Sequence, residues 1–241
     1  GVEPDAVITA ADSVKTTTAA GRRSLRDRFP KGVNWSNTIF LAAVHTGAVA
    51  AIWHFSWPGL ILAIVLFYAT GCIGVTIGYH RMLTHTGFAV SAPLRYFFTL
   101  CAMSSGQGSP LFWVATHRKH HVHSDLPDDP HSPNDGFWWS HVLWLQPRET
   151  ADDLKALFSR WAPDLYKNPV HRFLDRVFPI FLVLTGVALY FLGEAWSLLD
   201  VGATWAADGW SFLLWGYCLR MVTVYHTTWF VNSATHIWGY R

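Results

Sequence analysis

The chain has 241 residues, of which 51% are hydrophobic and only 14% charged, with 14 Trp and 16 Phe. Soluble domains carry about 25% charged residues, so the composition excludes an ordinary soluble domain and points to a membrane. The net charge of +2 says little by itself, no nucleic-acid partner is expected, and the three cysteines (Cys72, Cys101, Cys218) are far apart without a CxxC pair, which argues against a disulfide framework or a zinc ribbon.

Residues 1–31 are polar, small and charged, without periodicity, and are expected to form a mobile tail ahead of a membrane domain over 32–241. Residues 32–80 contain no Lys, Arg, Asp or Glu, a stretch too long for one span of about 20 residues. The segment HFSWPG, His54–Gly59, divides it and predicts helices over 36–54 and 59–79 joined by a tight hairpin. Segment 91–112 is apolar but contains SSGQGSP, so it is expected to dip into the interface or lie against the bundle without crossing. FWWSHVLWL, 137–145, reads as an interfacial helix with an aromatic face. The uncharged run Val177–Gly193 predicts a third span, and the run from Gly209 to Asn232, interrupted only by Arg220, predicts a fourth. A mid-span arginine is costly unless it faces the interior, so Arg220 is expected to bond helix-end carbonyls or a polar neighbour.

Lys and Arg set the orientation. The tail carries Lys15, Arg22, Arg23, Arg26, Arg28 and Lys31, and the segment 80–176 carries ten more, whereas the hairpin near His54 and the loop 194–208 carry none. The tail, the 80–176 loop and the C-terminus are therefore expected in the cytoplasm. The fold class is all-α: an integral membrane protein with four transmembrane helices, a cytoplasmic helical cap and a histidine-rich dimetal site.

On that topology the histidine motifs converge. GYHRMLTH places His80 and His85 at the end of the second span, THRKHH places His117, His120 and His121 in the following loop, and VNSATH places Asn232 and His236 at the end of the fourth. His117, His120 and His121 share a helix face, as do Asn232 and His236. His80 and His85 would sit about 140° apart on a regular helix, so their pairing needs a helix end or a partner that wraps around them. Imidazole suits zinc, iron, copper and nickel. No Cys accompanies the cluster and no Glu-x-x-His occurs, so one tetrahedral ion leaves ligands over and two ions are the economical reading. His45, His54, His171 and His226 read as ordinary core or surface residues. His123, His131 and His141 read as supporting or structural, and Asp125 and Asp129 as acceptors that could orient the imidazoles.

GYHRMLTH, WVATHRKHHVHSD, DPHSPNDGFWWSH and VNSATHIWGYR resemble the integral-membrane fatty acyl desaturases, above all the Δ9 type, over Ile73 to Arg241. The resemblance implies two iron ions held by His80, His85, His117, His120, His121 and His236, with Asn232 acting through a water. It implies dioxygen as co-substrate, two electrons from a separate ferredoxin, rubredoxin or b-type cytochrome, and a cis double bond, at Δ9, in a saturated acyl chain. It also implies a kinked tunnel with Gln107 at its mouth and Trp113 and Trp229 on its wall. The family has a third box, HxxHH, downstream of NSATHIWGYR; the sequence stops at Arg241, before it, and is expected to be a fragment of a longer protein. In acyl-CoA relatives, arginines and an asparagine hold the coenzyme; the matching positions are Ala115, Asn134, Asp135 and Gly108. The expected substrate is therefore an acyl chain on a membrane lipid, against the alternatives of an acyl-CoA desaturase, a related di-iron hydroxylase and an inactive lipid-binding protein.

Overall fold

The structure, a computed structural model, describes residues 24–238. The expectation for residues 1–23 of the tail lies outside the described residues. From Ser24 on the chain is placed: a short helix α1 (Leu25–Arg28) ends in Arg28, which donates to the carboxylate and the backbone carbonyl of Asp135, both at 3.0 Å. Among the described residues the chain is all-helical, and its one β-type pairing is the isolated bridge Val33–Pro147.

Helix α2 (Trp35–Ala50) is capped by Asn34 and runs into a tight turn at Ala51–His54. The hairpin then resets at Ser56, which caps α3 (Trp57–Phe67) and bonds Ser211. The helix continues past Phe67, but its winding widens: Tyr68–Thr84 is π-helical, closed by i→i+5 bonds such as His85 N–H to His80 O at 3.1 Å. Gly74 and Gly78 let this stretch touch α4 (Ala92–Met103); a Cβ on Gly74 would stand 2.5 Å from Ala102 N, and one on Gly78 2.8 Å from Phe98 O. Small residues at such a contact let two backbones approach. As expected, α4 is too short to cross a bilayer, with 12 residues against the roughly 20 required.

Helix α5 (Pro110–His123) carries HxxHH. The aromatic segment expected as one interfacial helix over 137–145 is instead two turns, α6 (Phe137–His141) and Leu143–Leu145, broken at Val142. Glycine at 136 (φ 109°) and the extended φ of −144° at Val142 confine the first turn to five residues. Helices α7 (Ala151–Trp161), opened by a Thr150/Asp153 capping box, and α8 (Pro163–Lys167) pack under α5. Helix α9 (Pro169–Ser197) starts well before the expected residue 177, because Asn168 caps it and Pro169 fits its first turn. The last run is helical from Gly209 to Trp238, in three parts: α10 (Gly209–Ser211), a π-helical stretch Phe212–Leu219 and α11 (Arg220–Trp238).

Among the described residues three helices are long and apolar enough to cross a membrane: Trp35–His54, Trp57–Thr84 and Pro169–Ser197. Their outward faces are apolar, with Ile39, Ile61, Val65, Ile180, Val183 and Phe191 all exposed, a pattern that suits lipid contact and is costly in water. Arg220, 2% exposed, donates to Gly216 O at 3.0 Å and to Ser104 O, the C-cap of α4, at 2.6 Å. The charge is thus spent on two backbone carbonyls, one of them at a helix end, in line with the sequence expectation. Two apolar cores result, one joining α2, α9 and the Phe212–Trp229 segment, the other joining the Tyr79–Leu83 turn to α4, α5, α7 and α8.

Candidate metal centre

The π-helical winding resolves the angular problem of the HxxxxH motif. Residues five apart stack when turns close through i→i+5 bonds, and the Nε2 atoms of His80 and His85 lie 3.1 Å apart. One helix over, the i, i+4 pair His117 and His121 also brings its Nε2 atoms within 3.1 Å. The pairs face each other, with ring centroids 4.9 Å apart for His80–His117 and 4.7 Å for His85–His121. One ring nitrogen from each of the four lies within 4.8 Å of the others. Gly78 makes this possible, because the turn carrying His80 must lie on the α4 backbone.

His120 points to a second group. Its Nδ1 meets Asp129 Oδ1 at 2.9 Å, and its ring centroid is 4.2 Å from that of His131 and 5.9 Å from that of His236. Asp129 is 1% exposed and also accepts the backbone N–H groups of Asp125 and His131 at 3.0 and 3.1 Å. Asp125, at φ 62°, turns the chain back under α5 and accepts His236 Nδ1 at 3.2 Å. A carboxylate on Nδ1 fixes the tautomer and leaves Nε2 as the free lone pair. The six expected histidines are therefore split four and two: His80, His85, His117 and His121 in one group, His120 and His236 in the other. His131, read from sequence as supporting, joins the second group with Asp129.

Burial and mutual repulsion favour the neutral form of His117, His121 and His131. Burial, followed by the neighbouring His121, His80, His120 and His131, drives the His117 imidazole down to about 2. His121 is lowered by burial and then by His85 and His120, and His131 falls to about 4, mainly through burial and His120. Burial raises Asp129, but the His120 hydrogen bond and the nearby His131 and His120 rings outweigh it, and its carboxyl is held below the usual range. Neutral imidazole is the metal-binding form, and crowded nitrogens with no room for protons on all of them suit a cation. The residues thus fit a metal by donor chemistry.

A cavity of about 740 Å³ runs from these rings into the helical bundle, a volume in the usual range of roughly 300–1,000 Å³ for ligand sites. His80, His117, His131 and Asn232 line it, and so do Gln107, Trp113 and Trp229. Gln107 ties two walls together: its amide donates to Thr228 Oγ1 at 2.8 Å and accepts Trp113 Nε1–H at 3.2 Å. The SSGQGSP loop is held open by two buried tyrosines, Tyr225 donating to Gly106 O at 3.0 Å and Tyr79 to Gly108 O at 3.1 Å. Sequence reasoning missed Thr228, Tyr79, Tyr225 and the cavity-lining Asp175, which bonds the cap residue Ser109. Asp175 had a legible signal, a lone carboxylate beside an apolar run, hidden by starting that span at 177.

The positions that would hold coenzyme A in acyl-CoA relatives are otherwise engaged. Ala115 is fully buried, Asn134 donates to Asp125 O at 2.7 Å, and the Asp135 carboxylate is paired with Arg28 at 3.0 Å.

The family model described as fatty acid desaturase matches residues 53–241. The chain is similar to an sn-1 stearoyl-lipid 9-desaturase of Anabaena variabilis, 42% identical over 87% of this chain and 71% of that protein. It is also similar to an sn-2 palmitoyl-lipid 9-desaturase of Nostoc sp. (strain 36), 40% identical over 87% of this chain and 68% of that one. An acyl-CoA 5-desaturase of Anemone leveillei is 34% identical over 86% of this chain and 61% of its own. With this coverage, and with histidines gathered on a membrane-type helical scaffold, the chain belongs to the fatty acid desaturase family, and it is an oxidoreductase acting on fatty acyl chains.

Proposed function

We propose that the protein introduces a cis double bond at Δ9 into a saturated acyl chain esterified to a membrane lipid, at a pair of irons held by His80, His85, His117, His120, His121 and His236, with Asn232 acting through a water. The observation that carries this reading is that one cavity is lined both by His80 and His117 and by the apolar walls around Trp113 and Trp229. A saturated chain in that cavity has its methylenes beside imidazole nitrogens and away from bulk water. Bound iron, with dioxygen and two electrons from a ferredoxin, rubredoxin or b-type cytochrome, supplies the oxidising power to remove hydrogen from an unactivated methylene.

The chain's own residues do the rest. Asp129 and Asp125 orient His120 and His236 by accepting at Nδ1. Gln107 sets the Trp113 ring against α11 and so fixes the tunnel's bore. Gly209–Trp238 serves as the fourth membrane crossing, with Arg220 neutralised inside the bundle, and the centre faces the cytoplasm, where Lys and Arg concentrate. The tail, whatever its conformation before Ser24, leads into one membrane domain over 32–241.

The lipid carrier is favoured by the engaged state of Ala115, Asn134 and Asp135 and by the names of the 42% and 40% identical relatives. The test supplies labelled stearoyl-lipid and labelled stearoyl-CoA separately to membranes holding the protein and a reductant, with acyl exchange blocked, and locates the double bond by mass spectrometry. Faster conversion of the lipid, at C9, supports the reading; faster conversion of the thioester, or a hydroxylated product, overturns it.

A further inference from the structure

Away from the centre, His45, His226 and His141 form a continuous row. His45 Nε2 lies 3.3 Å from His226 Nε2, and His226 Nδ1 lies 3.0 Å from His141 Nε2. The row is closed at both ends. His45 Nδ1 meets Leu41 O at 2.7 Å; His141 Nδ1 meets Ser233 Oγ at 3.0 Å, and that hydroxyl faces Trp229 O at 2.9 Å. His226 spends both ring nitrogens on its neighbours, so the row is a chain of hydrogen bonds and not a chelate.

A count of hydrogens shows what the row lacks. Backbone carbonyls only accept, a neutral imidazole donates once, and a hydroxyl donates once. The five contacts from Leu41 O to Trp229 O need five hydrogens, whereas three neutral rings and one hydroxyl supply four. With four, one link of this half-buried to buried row faces two lone pairs, and an acceptor facing an acceptor away from water is unfavourable. One protonated ring supplies the fifth hydrogen and satisfies every link.

We propose that this row is a proton-binding site in the cavity wall: His45, His226 and His141 share one excess proton between Leu41 O and Trp229 O. The charge has a place to reside. His45 stacks on the Trp229 indole (centroids 6.3 Å apart, planes 14° apart), and an aromatic face attracts a cation. The Pro133–Asp135 turn packs on α6 and α11, and its Asp135 carboxylate is paired with Arg28 at 3.0 Å; the Phe212–Leu219 stretch packs on α2 and α11 and carries Cys218 and Tyr217, whose hydroxyl donates to Leu182 O at 3.0 Å. Helices α2 and α6 and the Trp57–Phe67 helix carry no titratable side chain besides His45 and His141 themselves. On α11, Arg220 bonds Ser104 O, Tyr225 bonds Gly106 O and His236 bonds Asp125. The bound proton ties α2, α6 and α11 together and holds Trp229 in the cavity wall.

The test is 15N NMR of the ring-labelled histidines in the protein embedded in lipid nanodiscs at about pH 8, where ordinary histidines near 6.5 are neutral. The wild type is expected to show one imidazolium per chain. Ser233→Ala removes two links and one hydrogen, leaving three links and three hydrogens, so the row closes neutral and the imidazolium signal disappears with all three rings still present. His45→Phe likewise leaves three links and three hydrogens and gives the same loss through a different side chain, so that a folding failure of one variant leaves the other to decide. A wild type with no imidazolium at that pH, or a signal that persists in either folded variant, overturns the proposal.

Discussion

Two groups of histidines lie in this molecule, and they differ in what their ring nitrogens face. On Tyr68–Thr84 and α5, one ring nitrogen from each of His80, His85, His117 and His121 converges on a common volume, and beside it carboxylates take the Nδ1 atoms of His120 and, on α11, of His236. In the row His45–His226–His141 the nitrogens are used up in series, each ring by the next. The first arrangement leaves lone pairs for a cation; the second leaves none and wants a proton. Number and crowding of histidines do not distinguish the two. The partner of the second nitrogen does.

Substitutions separate the groups. The largest effect is expected at the converging group: His120→Ala or His117→Ala lowers desaturation more than about 100-fold, beyond the 10–100-fold that loss of a supporting partner costs, with recovery of folded protein unchanged. Product formation by gas chromatography near the wild-type level would erase the distinction. Next, Asp129→Asn keeps the shape but loses the negative charge and one of the two accepting oxygens, so that an NH2 group must face either His120 Nδ1 and the His131 N–H or the Asp125 N–H, and it weakens iron binding about 10–100-fold in chelator competition. An unchanged affinity would mean that the His120 tautomer is set elsewhere. A smaller and different effect is expected at Gly78→Ala. Its new Cβ presses on Phe98 O, so thermal stability falls by about 1–3 kcal/mol, and iron is lost with it because His80 rides on the same turn. Arg220→Leu gives the converse: Ser104 O loses its donor at a cost of about 1–3 kcal/mol, yet iron content stays at the wild-type level, since Arg220 bonds only α4 and its own helix.

The sequence carried the helical class, the hairpin at His54–Gly59, the buried role of Arg220 and, of the six histidines expected at one site, the four (His80, His85, His117 and His121) that meet. Each rests on a local signal, such as an uncharged run, a Pro-Gly break or an i, i+3, i+4 spacing. Two features were not legible. The widened winding of Tyr68–Thr84 has no compositional mark, since it depends on Gly74 and Gly78 lying against α4, so the HxxxxH spacing looked mismatched. The row of His45, His226 and His141 joins three elements far apart in sequence; each residue alone is an ordinary histidine in an apolar helix. The break at Val142 was missed because FWWSHVLWL is continuous in hydropathy, and the backbone turn at Val142 that interrupts it leaves no mark in that pattern.

The central claim is that the converging histidines, and not the row, hold the metal. Elemental analysis of purified protein tests it directly, comparing iron per chain in the wild type, His121→Ala and His226→Ala. The account predicts iron in the wild type and in His226→Ala at equal levels, and its loss in His121→Ala. Full iron in His121→Ala, or loss of iron in a folded His226→Ala, would contradict it.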